Sequence, residues 1–112
     1  MKLCLVLPLA LLAAPACAEV QLQTTRYACE RSLEVPVTYV MDPAGAAEGA
    51  LVMTVEGRQI TLFQEPAETG SRYGWPSDGS NYVWLAQDSK ASLLWKDETG
   101  KETPLLTECT QQ

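Results

Sequence analysis

The run Thr69-Gly70-Ser71-Arg72-Tyr73 concentrates the side chains best suited to grip another molecule. Thr69 and Ser71 carry hydroxyls that both donate and accept hydrogen bonds. Gly70 between them permits a tight turn. Arg72 adds a planar, forked cation, and Tyr73 joins an apolar ring to a polar tip. A loop of this kind can offer donors to acidic groups in a concave site; taken alone, it also fits an ordinary polar turn leading into a strand. Gln87-Asp88-Ser89-Lys90 forms a second polar tip. Its Lys90 is a flexible point charge that can seek a carboxylate or stay solvated.

These residues favour binding over catalysis. The chain contains no histidine, which removes the usual general base, the Ser/His and Cys/His nucleophile pairs and most zinc sites. No metal site and no cofactor are expected. Only carboxylates are left for catalysis, and nothing marks a pair of them, so a carboxylate-dependent glycosidase is the weakest reading. Without Lys2, seven basic residues face 14 acidic ones, a net charge of −7. Such a chain lacks the basic face that phosphate contacts need, so nucleic acid is excluded as a partner. A basic partner would be attracted, although acidity also serves simply to keep an exported protein soluble.

Residues 1–18 read as a signal peptide. Lys2 supplies the positive start, and the apolar run Leu3 to Leu12 is too short to span a bilayer. Ala16-Cys17-Ala18 fits the small-x-small cleavage rule, so the mature domain is expected to cover 19–112, in the periplasm. The competing reading is a lipoprotein signal cleaved before Cys17, with a lipid anchor on that thiol and an outer-membrane location. Against it, Ala14 and Pro15 are poor residues before such a cleavage. Cys4 and Cys17 lie in this leader, leaving Cys29 and Cys109 as the only cysteines of the mature part. They permit one intramolecular disulfide in an oxidising compartment. It closes a loop of about 80 residues, which in the chain-entropy model stabilises by about 4 to 5 kcal/mol.

The elements that must hold the two polar tips are short β-type runs separated by turns. Expected strands are Val20 to Cys29, Leu33 to Met41, Ala50 to Val55, Gln59 to Phe63, Ser71 to Trp75, Tyr82 to Ala86, Ala91 to Trp95 and Thr103 to Cys109. Glu56-Gly57-Arg58 is a hairpin signal, and Pro36 points to an edge or bulge. Asp42 to Gly49 reads as a loop, as does Gln64 to Gly70. Pro76 to Ser80 reads as a turn. No mature segment makes a convincing helix. Eight evenly spaced strands in about 90 residues argue for an all-β fold, either a closed antiparallel barrel or a small sandwich. With only one phenylalanine, tyrosine and tryptophan must share the core. Trp84 and Trp95, within strands, are expected inside; Tyr73 and Trp75 flank loops, where burial and exposure both stay open.

In order and spacing, these features resemble the periplasmic and membrane-bound inhibitors of C-type lysozyme. The family's Tyr-x-Cys near the mature start is matched by Tyr27-Ala28-Cys29, and its Ser-Gly-x-x-Tyr by Thr69 to Tyr73, with Thr for Ser. The ends of its Trp-x-Lys-Gly-x-x-Ala-x-Leu motif match Trp84 and Ala91-Ser92-Leu93, and its late Cys matches Cys109. The resemblance spans nearly the whole mature chain. It implies a small eight-stranded antiparallel β-barrel with one disulfide, binding to C-type lysozyme, and a hydroxyl and an ammonium that reach the two catalytic carboxylates. Thr69 would take the serine's place, with Ser71 in support. The motif lysine is missing: counted from Trp84 its position holds Ala86, counted from Ala91 it holds Gln87, and the motif's glycine is absent too. Lys90 or Arg72 would then supply the cation. The alternative is an envelope binding module on the same barrel that does not inhibit lysozyme.

Overall fold

The computed structural model describes residues 20–41, 49–76 and 79–112. The leader 1–18, with its cleavage site and Cys17, lies outside them, as do most of the Asp42–Gly49 loop and part of the turn after Pro76. Eight strands form: β1 (Gln21–Ala28), β2 (Glu34–Met41), β3 (Ala50–Val55), β4 (Arg58–Glu65), β5 (Ser71–Gly74), β6 (Asn81–Gln87), β7 (Lys90–Lys96) and β8 (Glu102–Gln111). Each pairs antiparallel with the next, and β8 returns to β1, so the sheet closes into a barrel. Among the described residues the helical content is one three-residue 3-10 turn, Glu30–Ser32. Closure leaves no pair of long free edges to manage, which is how a small β domain stays monodisperse.

Alternation along the strands decides which side chains face inward. Tyr27, Val35, Val37, Leu51, Met53, Leu62, Tyr73, Trp84 and Leu93 make the packed interior. Trp84 is fully buried, as expected, and Tyr73 proves to be interior. Trp95 departs from expectation: it is only half-buried and packs edge-on against Tyr82 with ring centroids 5.0 Å apart. Its neighbour Leu94 and the facing Val83 are buried, but outside the main core cluster. Alternation places Trp95 on the opposite face from Leu94, the inner face with Tyr82, near the end of β7 where its ring stays partly exposed. Trp75 ends just beyond β5, exposed and stacked on Phe63 at 5.4 Å. Pro36 faces Arg26 in β1, whereas the pairing of β2 with β3 begins only at Val37; the missing amide hydrogen falls where β3 asks for none.

Closure is narrow. β6 and β7 pair over seven positions, whereas β1 and β8 share two, Tyr27↔Gln111 and Ala28↔Thr110. The next position in that register is occupied by Cys29 and Cys109, which are disulfide-bonded. The bond thus continues the ladder as a covalent rung at the seam of the barrel.

Candidate functional site

The segment before β5 is held by its own backbone. Gly70 has φ = +64°, the left-handed region that side chains resist. A Cβ there would lie 2.5 Å from the Ala86 carbonyl oxygen and 3.0 Å from the Gln87 Cβ. Only glycine lets the loop press this closely on β6. From Gly70 the chain enters β5, where Ser71 faces Ala86, Arg72 faces Leu85 and Tyr73 faces Trp84. The loop therefore lies directly against Ala86 and Gln87, the positions of the missing motif lysine.

Thr69 is exposed at the crest of the loop, and Ser71 behind it is half-buried. Burial pushes the Tyr73 phenol up from its usual pKa, and the neighbouring Ser71 side chain pulls it part of the way back. Below them the interior is polar at one point. The Tyr39 hydroxyl lies 2.8 Å from that of Tyr27 and accepts a hydrogen bond from the Trp84 indole N–H at 3.0 Å. Burial, then the Tyr27 hydroxyl, holds the Tyr39 phenol well above its usual range. Tyr27 meets Trp84 edge-on at 5.1 Å, and the Tyr39 and Tyr73 rings are 5.6 Å apart. The loop thus rests on a hydrogen-bonded aromatic floor.

The two candidate cations have different situations. The Arg72 Nε donates to Glu65 at 2.6 Å, while its two Nη groups grip both carboxylate oxygens of Glu102 at 3.2 and 2.5 Å. The Glu102 carboxylate raises the guanidinium's pKa further, and Arg72 in turn holds the Glu102 carboxyl below its usual value. A guanidinium committed to two carboxylates braces the start of β5 against β4 and β8. Lys90 opens β7 opposite Gln87, across a turn at Asp88 and Ser89. It is exposed and, among the described residues, forms no ion pair. The hairpin tip is thus one pair shorter than the sequence suggested, with Gln87 and Lys90 as its last rung.

Thr69, Ser71, Ala86, Gln87, Lys90 and Ser92 line one surface cleft of about 450 Å³. The structure brings Thr69, Ser71 and Lys90 to this cleft; Gly70 shapes it, and Arg72 and Tyr73 support it from outside and beneath. Sequence reasoning missed the Glu65–Arg72–Glu102 clamp and the Tyr39 hub. The partners lie up to 45 positions apart in the chain, so no local signal could have shown them.

Matches to known proteins agree with this architecture. The family described as "Membrane-bound lysozyme-inhibitor of c-type lysozyme" matches residues 27–102. Two solved structures share the fold. PliC-St, the periplasmic lysozyme inhibitor of C-type lysozyme from Salmonella typhimurium, aligns with a TM-score of 0.69 at 18% identity, over 82% of this chain and 99% of that one. Pseudomonas aeruginosa MliC, solved in complex with hen egg white lysozyme, aligns with a TM-score of 0.63 at 18% identity, over 96% and 99% respectively. No curated protein sequence matches the chain. The family consists of binding proteins of the bacterial envelope rather than enzymes, and among the described residues no helix is long and apolar enough to cross a membrane. With the match covering most of the barrel, the chain belongs to the membrane-bound inhibitors of c-type lysozyme.

Proposed function

We propose that this protein inhibits a C-type lysozyme by filling its active-site cleft with the Thr69–Tyr73 loop and the 87–90 hairpin. The observation that carries this reading is the fit of Gly70 against Ala86, which sets an exposed hydroxyl and an unpaired ammonium on the walls of one cleft. Glycoside cleavage of this kind uses one protonated carboxyl and one ionised carboxylate. The Thr69 hydroxyl can accept from the acid, and the Lys90 ammonium can pair with the carboxylate. Ser71, paired with Ala86 at the start of β5, holds the backbone that presents Thr69. Arg72 serves the loop's shape. The net charge of −7 would draw a basic enzyme.

Inhibition of lysozyme-driven cell lysis by the purified mature protein is the test. Thr69→Ala should weaken it roughly 10- to 150-fold, the loss of one hydrogen bond to a charged partner. Lys90→Ala should speed dissociation, and the effect should persist at high salt, whereas a merely steering charge would lower only the association rate at low salt. One observation favours a second reading: Ala86 and Gln87 stand where the family carries lysine. If the folded protein leaves lysis untouched, it is an envelope binding module on the same barrel.

The export route proposed is a signal peptide over 1–18 and release into the periplasm from Glu19. Intact mass of the protein from its native host tests this. A mass beginning at an acylated Cys17 would instead place it as an outer-membrane lipoprotein.

A further inference from the structure

One end of the barrel is open, and its lining has a repeated design. Tyr27, Tyr39 and Tyr73 form the floor of a cavity of about 520 Å³, a size typical of small-ligand sites. Each tyrosine has a glutamine directly opposite it on the neighbouring strand: Gln111 faces Tyr27, Gln23 faces Tyr39 and Gln64 faces Tyr73. Directly opposed residues of an antiparallel pair share a face of the sheet. Three strand pairs therefore deliver the same amide-over-phenol arrangement to one mouth. Gln87 adds a fourth amide to the lining.

The chemistry of this lining is specific. Among the described residues, the side-chain amides of these four glutamines take no hydrogen-bond partner within the protein. Each amide can donate to one hydroxyl and accept from the next. The floor is not saturated either. Tyr27 and Tyr39 share one hydrogen bond and Tyr39 accepts from Trp84, so whichever hydroxyl donates, one of the two phenolic hydrogens has no partner among the described residues. Asp88 is the one charged side chain on the lining. A carboxylate accepts strongly from hydroxyls, and as the one charge on the lining it disfavours an acid.

We propose that the barrel mouth is a binding site for a short neutral oligosaccharide, its hydroxyls held by Gln64, Gln111 and Asp88 and a ring face seated on Tyr39, the tyrosine of the three that stays partly exposed. Amides and a carboxylate bind vicinal hydroxyls, and aromatic rings accept the apolar faces of sugar rings while keeping a polar handle. The mouth shares Ser71, Gln87 and Asp88 with the loop and hairpin proposed to face lysozyme, so sugar binding is read without lysozyme present.

The test is an NMR titration of the isotope-labelled mature protein with tri-N-acetylchitotriose and, separately, cellotriose. Saturable shifts are expected in the side-chain amides of Gln64 and Gln111 and in the Trp84 indole, which senses Tyr39. Gln64→Ala and Gln111→Ala, both on the rim, should keep the native spectrum and each weaken binding roughly 2- to 12-fold, the worth of one net hydrogen bond. Absence of saturable shifts with either sugar up to ~10 mM would overturn the proposal, since affinity below that level is negligible. Shifts that gather on the exposed Phe63–Trp75 pair and vanish in Trp75→Ala would overturn it too, by placing the sugar on the barrel's outer face.

Discussion

The two segments that wall the cleft are built on opposite plans. The 69–72 loop is fixed at two points: Gly70 lies against the Ala86 carbonyl, and Arg72 is clamped between Glu65 and Glu102. The 87–90 hairpin is a bare turn between two paired strands, with Asp88 at φ = +57° and exposed side chains at every position. The family pattern survives almost intact in the first segment, where only Thr replaces Ser. It is lost in the second, where both the lysine and the glycine are gone. The departures from the pattern fall where the side chains are exposed. A contact that needs a fixed position is thus entrusted to the loop, and one that needs only reach can be supplied by a long side chain such as Lys90 on the hairpin.

The sharpest way to break this contrast is Gly70→Ala. The new side chain meets a left-handed φ and the Ala86 carbonyl at once. Strain of about 1 to 3 kcal/mol would add to loss of the Thr69 hydrogen bond, so inhibition should fall roughly 100-fold or more. Circular dichroism and the melting temperature should show the barrel still folded; an unchanged inhibition constant would mean that the loop is not fixed in the way described.

Arg72→Ala comes next and should act on stability. It leaves two half-buried carboxylates side by side without their counter-ion. The group is partly solvated, so the cost falls below that of a fully buried pair, about 1 to 2 kcal/mol, or a drop of roughly 5 to 15 °C in Tm. The pH dependence has a definite sign. Arg72 lowers the Glu102 pKa in the folded state below its ordinary value. The stability this gives is present above the unfolded value and is lost as pH falls through the lowered folded one. Thermal melts of the parent protein should therefore weaken in acid, and the gap between parent and Arg72→Ala should narrow there. A constant gap from neutral to strongly acid pH would contradict the clamp.

The smallest effect is expected at the hairpin tip. Ser89→Ala removes an exposed hydroxyl that is not part of any side-chain bond among the described residues. Stability should change by less than about 0.5 kcal/mol and inhibition by less than about twofold. A large loss at Ser89 would show that the hairpin, too, makes a fixed contact.

Much of the fold could be read from the sequence because a closed antiparallel barrel is written in local terms. Alternation gave the strands, glycine and polar clusters gave the turns, and Trp84 sat in the middle of a clear strand. The loop stood out because Gly70 between two hydroxyls is an unusual combination. What stayed hidden was non-local. Arg72 looked like a free cation because Glu65 and Glu102, 7 and 30 positions away, show their approach only once β4, β5 and β8 are assembled. Tyr39 gave no sign of accepting from Trp84 for the same reason. Trp95 is only half-buried because it lies near the end of β7, on the inner face beside Tyr82 but away from the packed middle of the barrel.

The covalent rung at Cys29 and Cys109 makes the compartment part of the topology. With thiols there, β1 and β8 are joined by two residue pairs and one further bond, from the Gln112 N–H to the Arg26 carbonyl, a short seam to hold against thermal opening. An unzipped barrel is an open sheet with two bare edges, and bare edges recruit other strands. A reducing compartment would therefore leave the chain prone to self-association, whereas an oxidising one would seal it. The redox state of the compartment then does more than keep one bond closed. It selects the cylinder over the ribbon.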